Sequence, residues 1–476
     1  MDRSKHVLLV EPAFPIAAKS RNHKDFLPIG LLKIGSLLRG QGADVRLIRG
    51  VPKDTEELAS LREFAPNAVW VTSLFTYWAH HVRSAVHFYK SEFPSAHVVV
   101  GGIYASLRPI DEVQAFTGCD EVVRGVIADA EECLPAYDLA ECTNSHPIDY
   151  QILHASRGCP RGCEFCGTWI AEPEFIPRQT IKEYIHKKKV VFYDNNLLLN
   201  PHIETLLTEL AELRQAGQLT WCESQSGFDG RVLLEQPHLA KQIRRAGFRY
   251  PRIAWDWRYS NRVKIGKQVQ LLLDAGYSAK DIYVFMIYNW KIPFDEMELK
   301  RIQCWDWHVQ IADCRFRPLD QLVDEYRPVV GRDANYFISR DTGWTDARVR
   351  QFRKNVREQN ICVRHGLQLY SRQLEQQRVD ETTAARLKQL VSLEEKERLC
   401  EATGIDYWYP GSQRSPSPPP SCDELQQLSI PPGGLHDAAK HVGRQDRSNR
   451  ILSKGPSRHQ SGKKWPAESQ RPLIGP

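Results

Sequence analysis

Short apolar runs recur along this chain, each followed by a stretch of helical periodicity, and that alternation fixes the class of fold. The first run is HVLLVEP at 6–12, closed by a Pro-rich turn. LPIGLLKIGSLLRGQG at 27–42 has apolar side chains at 31, 32, 34, 37 and 38 and stops at Gly40 and Gly42. DVRLIRG (44–50), NAVWVTSLF (67–75), HHVRSAVHFYKSEF (80–93) and HVVVGG (97–102) follow. Strands this uniformly apolar are buried on both faces, as parallel strands covered by helices are. The rhythm predicts an α/β, Rossmann-like doubly wound sheet over residues 1–145. Its ligands belong beyond the strand C-termini, in the loops 11–27, 73–80 and 101–109.

A second series begins at 151. The pattern predicts strands at 151–156, 190–194, 221–226, 252–256, 282–288 and 308–313. Helices are predicted near 178–187, 203–216, 231–246, 263–275 and 294–302. Six β/α units read as a partial (β/α)6 barrel over 146–330, with its chemistry at the strand C-termini. DEVVRGVIADAEECL (120–134) reads as the linker between the two series. Residues 331–410 are expected to be helical, with charged stretches such as RQFRKNVREQN and SLEEKERL. The segment 411–476 opens with GSQRSPSPPPS and has the composition of a disordered tail.

At 476 residues the chain is longer than one core normally serves. Its formal charge is +6, and 411–476 alone holds ten Lys/Arg against five Asp/Glu. The body is therefore near neutral and carries no electrostatic footprint for nucleic acid. KNVREQNICVRHG reads as a solvated amphipathic face as readily as an RNA-contacting helix. The start, MDRSKHVLLVEPAFP, is too short in apolar residues for a signal peptide, and no run reaches the length of a membrane span. The expectation is a cytoplasmic protein whose twelve cysteines stay reduced.

Three of those cysteines, Cys159, Cys163 and Cys166, crowd into SRGCPRGCEFCGTW at 156–169, directly after the first strand of the second series. Pro160 and Gly162 permit a tight wrap. A structural zinc would take four protein ligands, with Cys222 or His154 left to complete the set. A disulfide would strand one thiol. A 4Fe-4S cluster held by three thiolates would leave one iron open to an exogenous ligand.

The Cys-x3-Cys-x2-Cys spacing, with Phe165 just before the last cysteine, resembles the radical S-adenosylmethionine superfamily. The resemblance implies a 4Fe-4S cluster on Cys159, Cys163 and Cys166 whose open iron binds S-adenosylmethionine. One-electron reduction, from a flavodoxin or ferredoxin, would split that cofactor to a 5′-deoxyadenosyl radical that abstracts hydrogen from an undetermined substrate. In the family the end of the second strand contacts the methionyl amino group. Here that place reads VVFYDNNLLLNP, which assigns Asp194, Asn195 and Asn196. Ends of later strands contact ribose and carboxylate, which assigns Gln225 and Ser226 in ESQSGFD and Asp256 in RIAWDW. Each has a plainer reading as a helix cap or turn residue.

The front series resembles the cobalamin-binding subgroup of the same superfamily, in its first helix and in the Gly-Gly strand end of VVVGGIYASLRP. That implies cobalamin-dependent methyl transfer as one option. The Asp-x-His-x-x-Gly loop that supplies a lower cobalt ligand is absent, and His23 lacks its flanking residues, so the resemblance admits cobalamin without requiring it. Cys304, Cys314 and Cys362 fit no compact metal motif and read as buried, inert thiols. The arginines of CRFRP suit either an anionic substrate or ordinary ion pairs. The competing reading is a non-catalytic zinc-binding or RNA-binding module.

Overall fold

The computed structural model describes residues 5–15, 26–142, 148–326 and 335–366. His23 and the segment 411–476 lie outside them. The front part runs β1 (His6–Glu11), α1 (Ile29–Gly40), β2 (Asp44–Arg49), α2 (Thr55–Phe64), β3 (Ala68–Ser73), α3 (Ala79–Glu92), β4 (His97–Gly102), α4 (Ile103–Leu107), α5 (Ile110–Thr117) and β5 (Glu121–Val122). Its five strands are parallel, in the order β2-β1-β3-β4-β5. The winding reverses between β1 and β3, where such a sheet opens its ligand crevice. Val7, Leu8, Leu9 and Val10 are all buried, so both faces of β1 are covered. Helix α3 buries Val82, Ala85, Val86 and Tyr89, a stripe at helical spacing. Asp54 caps α2 by accepting from the N–H groups of Glu56 and Glu57.

Helices α6 (Ala128–Glu131) and α7 (Tyr137–Glu141) occupy the linker and return to α1, where Lys33 Nζ meets Glu131 Oε1 at 2.7 Å. The second part runs β6 (Gln151–Leu153), β7 (Ser156–Arg157), α8 (Thr168–Ala171), β8 (Ile176–Pro177), β9 (Lys189–Phe192), α9 (Ile203–Gln215), β10 (Trp221–Ser224), α10 (Gly230–Glu235) and α11 (Leu239–Arg245). It continues through β11 (Arg252–Ala254), α12 (Arg262–Asp274), β12 (Tyr283–Tyr288), α13 (Phe294–Asp306), β13 (Gln310–Arg315) and α14 (Asp346–His365). Strands β6, β9 and β10 form one parallel sheet and β11, β12 and β13 another. Parallel bridges at Cys222–Phe248 and Phe228–Ile253 join β10 to the β11 region, so the six strands follow one another in chain order. β7 and β8 pair antiparallel and bracket the cysteine loop.

Two expected helices differ. Around 178–187 there is only a 3₁₀ turn at Lys182–Tyr184. Side chains from outside the segment satisfy its backbone there: Asn200 donates to the Arg178 carbonyl, and Glu209 accepts from the N–H groups of Ile181 and Lys182. The expected 231–246 helix is two helices, because Pro237 lies between α10 and α11 and cannot continue the first. Of the region 331–410 expected to be helical, residues 335–339 are not helical, Arg340–Thr342 form a 3₁₀ turn and Asp346–His365 form α14, while 331–334 and 367–410 lie outside the described set.

Front and rear parts touch at the end that carries the sheet's crevice. A side chain on Gly167 would put its Cβ 2.6 Å from Leu107 Cδ2, so the Leu107 side chain at the end of α4 keeps its place against the residue that follows Cys166 because that residue is glycine. Arg317 stacks over Tyr77 at 4.1 Å. Gly167→Val is expected to destabilise the protein by ~1–3 kcal/mol through overpacking. Adding Leu107→Ala should recover part of that loss. Urea denaturation of the two single variants and the double variant measures the coupling.

Candidate functional site

The cysteine loop is anchored before any ligand is considered. Gly158 has φ +73°, and a Cβ there would lie 2.0 Å from the Glu174 carbonyl oxygen, so only glycine fits where the loop leaves β7. Glu172 closes the other side, accepting from Gly158 N–H at 2.7 Å and pairing with Arg157 at 2.6 Å. Cys166 N–H bonds to the Cys163 carbonyl. Two sulfurs receive backbone donors, Cys159 Sγ from Arg161 N–H at 3.4 Å and Cys166 Sγ from Thr168 N–H at 3.5 Å. Burial, followed by the neighbouring Cys166 thiol and Asp256, pushes the Cys163 thiol up.

Asp194 is fully buried. Its carboxylate accepts from Ala155 N–H at 3.0 Å, Ser156 N–H at 2.6 Å and Ser156 Oγ–H at 2.7 Å. Those oxygens are committed to the start of the cysteine loop, and Asp194 does not line the cavity beside it. Burial outweighs the three hydrogen bonds and raises its pKa to about 6.

The three cysteines open onto a cavity of about 560 Å³ at the carboxyl ends of the rear strands. Asn195 and Asn196 line it after β9, Ser226 and Asp229 after β10, and Asp256 and Trp257 after β11. Gln225 lies beside this wall without lining it; its N–H bonds to the Phe192 carbonyl. Of the nine residues singled out by sequence, the three cysteines and four others therefore share one cavity. Asn195 accepts from the Thr168 hydroxyl and donates to Glu172, tying the end of β9 to the loop.

Sequence reasoning missed much of the charge. Asp229 caps α10 and gathers Arg161 at 3.1 Å, Arg231 at 2.8 Å and Asn196 Nδ2 at 3.3 Å. Burial would raise Asp229, yet the Arg231 hydrogen bond and charge hold it below its ordinary range. Gln268 projects from the middle of α12, and its Oε1, like Asn196 Oδ1, is buried with no hydrogen-bond partner. The cap position in FDGRV was a visible signal for Asp229; nothing local marked Gln268. Lys300 is fully buried on α13 and donates to the carbonyls of Trp255 and Trp257, on either side of Asp256. Burial lowers Lys300 to about 8. Burial also raises Asp256 to about 6, against the pull of Lys300 and Arg231.

Other residues are placed elsewhere. His154 faces a separate cavity of about 810 Å³ near Glu131 and Arg178, and Cys222 is buried with its thiol toward the Ala246 carbonyl. Neither joins the three cysteines. Among the described residues no three His, Cys, Asp or Glu side chains stand close enough to hold a single metal ion. Arg315 and Arg317 of CRFRP both pair with Asp324, the ion-pair alternative. Cys304 and Cys362 are buried, as expected, whereas Cys314 is exposed and lines the 560 Å³ cavity. At the front, Gly102 has φ +96° and a Cβ there would lie 2.3 Å from the Ser73 carbonyl oxygen, so its glycine answers to β3. Phe75 and Ile103, following β3 and β4, stand 44% and 43% exposed at the crevice end of that sheet. No described helix is long and apolar enough to cross a membrane.

Asp256 supplies a stability test. The folded protein binds its proton more tightly than the unfolded chain, so its contribution is complete at acid pH and is lost as pH rises through about 6. Asp256→Asn should stabilise the protein at pH 7 by ~1–3 kcal/mol and flatten the decline between about pH 4 and 6. Chemical denaturation across that range measures both.

No curated protein matches the chain. Two solved structures of the cobalamin-dependent S-adenosylmethionine radical enzyme OxsB resemble it, at 14% and 13% identity with TM-scores of 0.43 and 0.44; each match covers 64% of this chain. The chain spans 52% of the length of those enzymes. A cobalamin-binding protein from Desulfitobacterium hafniense DCB-2 matches at 16% identity and TM-score 0.19, over 30% of this chain and 58% of its own. In agreement with the resemblance drawn from the first helix and the Gly-Gly strand end, residues 20–134 match the family model of the B12 binding domain.

Proposed function

We propose that the chain is a radical S-adenosylmethionine enzyme of the cobalamin-associated kind. On this reading a B12-type domain over 1–145 precedes a partial (β/α)6 barrel over 146–330. One observation carries the proposal: Cys159, Cys163 and Cys166 face a single cavity at the carboxyl ends of six parallel strands. The donor set suits a cluster. Three thiols of one loop line the same cavity, two of them already receive backbone N–H donors, and sulfur hydrogen bonding is a lever on cluster potential. The wall suits S-adenosylmethionine. The buried acceptor oxygens of Asn196 and Gln268 are placed to accept from the N–H or O–H groups of a ligand or of bound water. Asp256, with no hydrogen bond or ion pair to its carboxylate among the described residues, offers negative charge to a cationic one. Exposed Phe75 and Ile103 give the front crevice an apolar surface for a large planar group.

With a one-electron donor of the flavodoxin or ferredoxin class, the bound cluster and S-adenosylmethionine supply a 5′-deoxyadenosyl radical, and bound cobalamin supplies a methyl carrier. The chain's own residues position and shield. Asp194 and Glu172 hold the cysteine loop, and Asn195 and Asn196 set the end of β9 against it. Ser226 offers a hydroxyl at the wall, and Gln225 fixes the strand end that bears it. Asp256 is held toward the cavity by the Lys300 clamp on its neighbours, and Trp257 and Phe285 add apolar wall.

Anaerobic reconstitution with iron and sulfide should give a brown protein that forms 5′-deoxyadenosine from S-adenosylmethionine under dithionite. Cys159→Ala, Cys163→Ala or Cys166→Ala should each reduce both iron content and product to background. A protein that takes up zinc stoichiometrically and forms no product would refute the reading. Retention of hydroxocobalamin after desalting, read by its visible spectrum, tests the front domain.

A further inference from the structure

Three cysteines away from the loop were indistinguishable in the sequence, and the structure separates them by the element each occupies. Cys304 is on the inner face of α13 and Cys362 on that of α14, both buried. Cys314 is on β13, where it pairs in register with Ile287, and side chains alternate faces along a strand. Phe285, Ile287 and Cys314 therefore share one face, and all three line the cavity that the loop cysteines open onto. The alternate residues Val284 and Met286 belong to the rear core. A second, independent feature marks this cavity as a ligand site: Gln268 Oε1 and Asn196 Oδ1 line it, each on a residue at least nine-tenths buried and each without a hydrogen-bond partner.

We propose that Cys314 is a hydrogen-atom donor to carbon-centred radicals formed in this cavity, an inference that rests on the function proposed above. A carbon radical enclosed by protein needs a weak X–H bond to quench it. Among the described lining residues Cys314 carries the one thiol outside the cysteine loop, and none is a tyrosine. The step balances. The S–H bond of Cys314 breaks homolytically as a C–H bond forms, leaving a thiyl radical. One electron from the flavodoxin- or ferredoxin-class donor and one proton from solvent restore the thiol. An ordinary cysteine thiol titrates at about 8.5, so most of it is protonated at neutral pH. Only the protonated form has a hydrogen atom to give.

The test needs no substrate. The full-length protein with reconstituted cluster, S-adenosylmethionine and dithionite is incubated in D₂O, and the 5′-deoxyadenosine is examined by mass spectrometry. Its 5′ carbon should be largely monodeuterated from the exchanged thiol. Cys314→Ala and Cys314→Ser should lower that deuterium content several-fold, the serine variant keeping size and polarity while offering only a strong O–H bond. Equal deuterium content in all three proteins overturns the proposal. Absence of 5′-deoxyadenosine from the wild type shows instead that the underlying reading has failed, and the proposal falls with it. A cofactor-independent arm uses N-ethylmaleimide on the folded, cluster-loaded protein with peptide mapping. Cys314 should be modified while Cys304 and Cys362 are not, and a Cys314 as inert as those two overturns the placement.

Discussion

The site depends first on a buried carboxylate. Asp194, at the end of β9, accepts three hydrogen bonds from Ala155 and Ser156, and so fixes where the chain turns from β6 into the cysteine loop. Those N–H groups lie where the strand ladder ends, and a buried backbone donor without a partner costs about as much as a lost hydrogen bond. Asp194 meets that need from a neighbouring strand, which couples the direction of the loop to the sheet. Glu172 makes the matching contact at Gly158 from the far side of the loop. Both ends of the short loop that carries the three thiols are thus held by carboxylates.

The cavity is built against stability. It buries two amide oxygens without partners and a carboxylate raised to about 6, each of which disfavours the ligand-free fold. Lys300 limits the cost by placing its ammonium beneath Asp256 and spending two donors on the flanking carbonyls. A perturbed acid on the cavity wall, with a perturbed ammonium buried behind it, is a pattern seen at functional sites. On the opposite wall, Asp229 is held ionised by Arg161 and Arg231, so it adds no free charge. Asp256 is thus the negative group that remains for a ligand.

Features of the chain that are local were legible in the sequence. The cysteine spacing, the apolar strands and Asn195 and Asn196 at a strand end all depend on neighbours within a few residues. What escaped depends on contacts from a distance. Asp194 sits beside Asn195 in sequence, yet its carboxylate turns away from the cavity because Ala155 and Ser156, about forty residues upstream, need acceptors. Gln268 lies mid-helix, with only its depth in the fold to mark it. The 178–187 segment has helical periodicity, but Glu209 and Asn200 take the backbone groups a helix would have used. The Gly-Gly strand end is visible in the sequence, but that Gly102 answers to the Ser73 carbonyl of the neighbouring strand is not.

The contact between front and rear parts gives the arrangement its direction. The Gly-Gly end of β4 leads straight into α4, and Leu107 at the end of α4 rests on Gly167, one residue beyond Cys166. The crevice end of the front sheet is therefore mechanically continuous with the cysteine loop. A second contact, Tyr77 against Arg317, lies close to the opposite wall, and Tyr77 has the Cys314 thiol among its electrostatic neighbours. On the proposed reading two cofactors would exchange a small group, and fixing reactants side by side removes the entropic cost of their encounter. The absence of a side chain at Gly167 is what lets Leu107 lie this close to the cysteine loop, so the contact between the two parts is made at the residue next to Cys166.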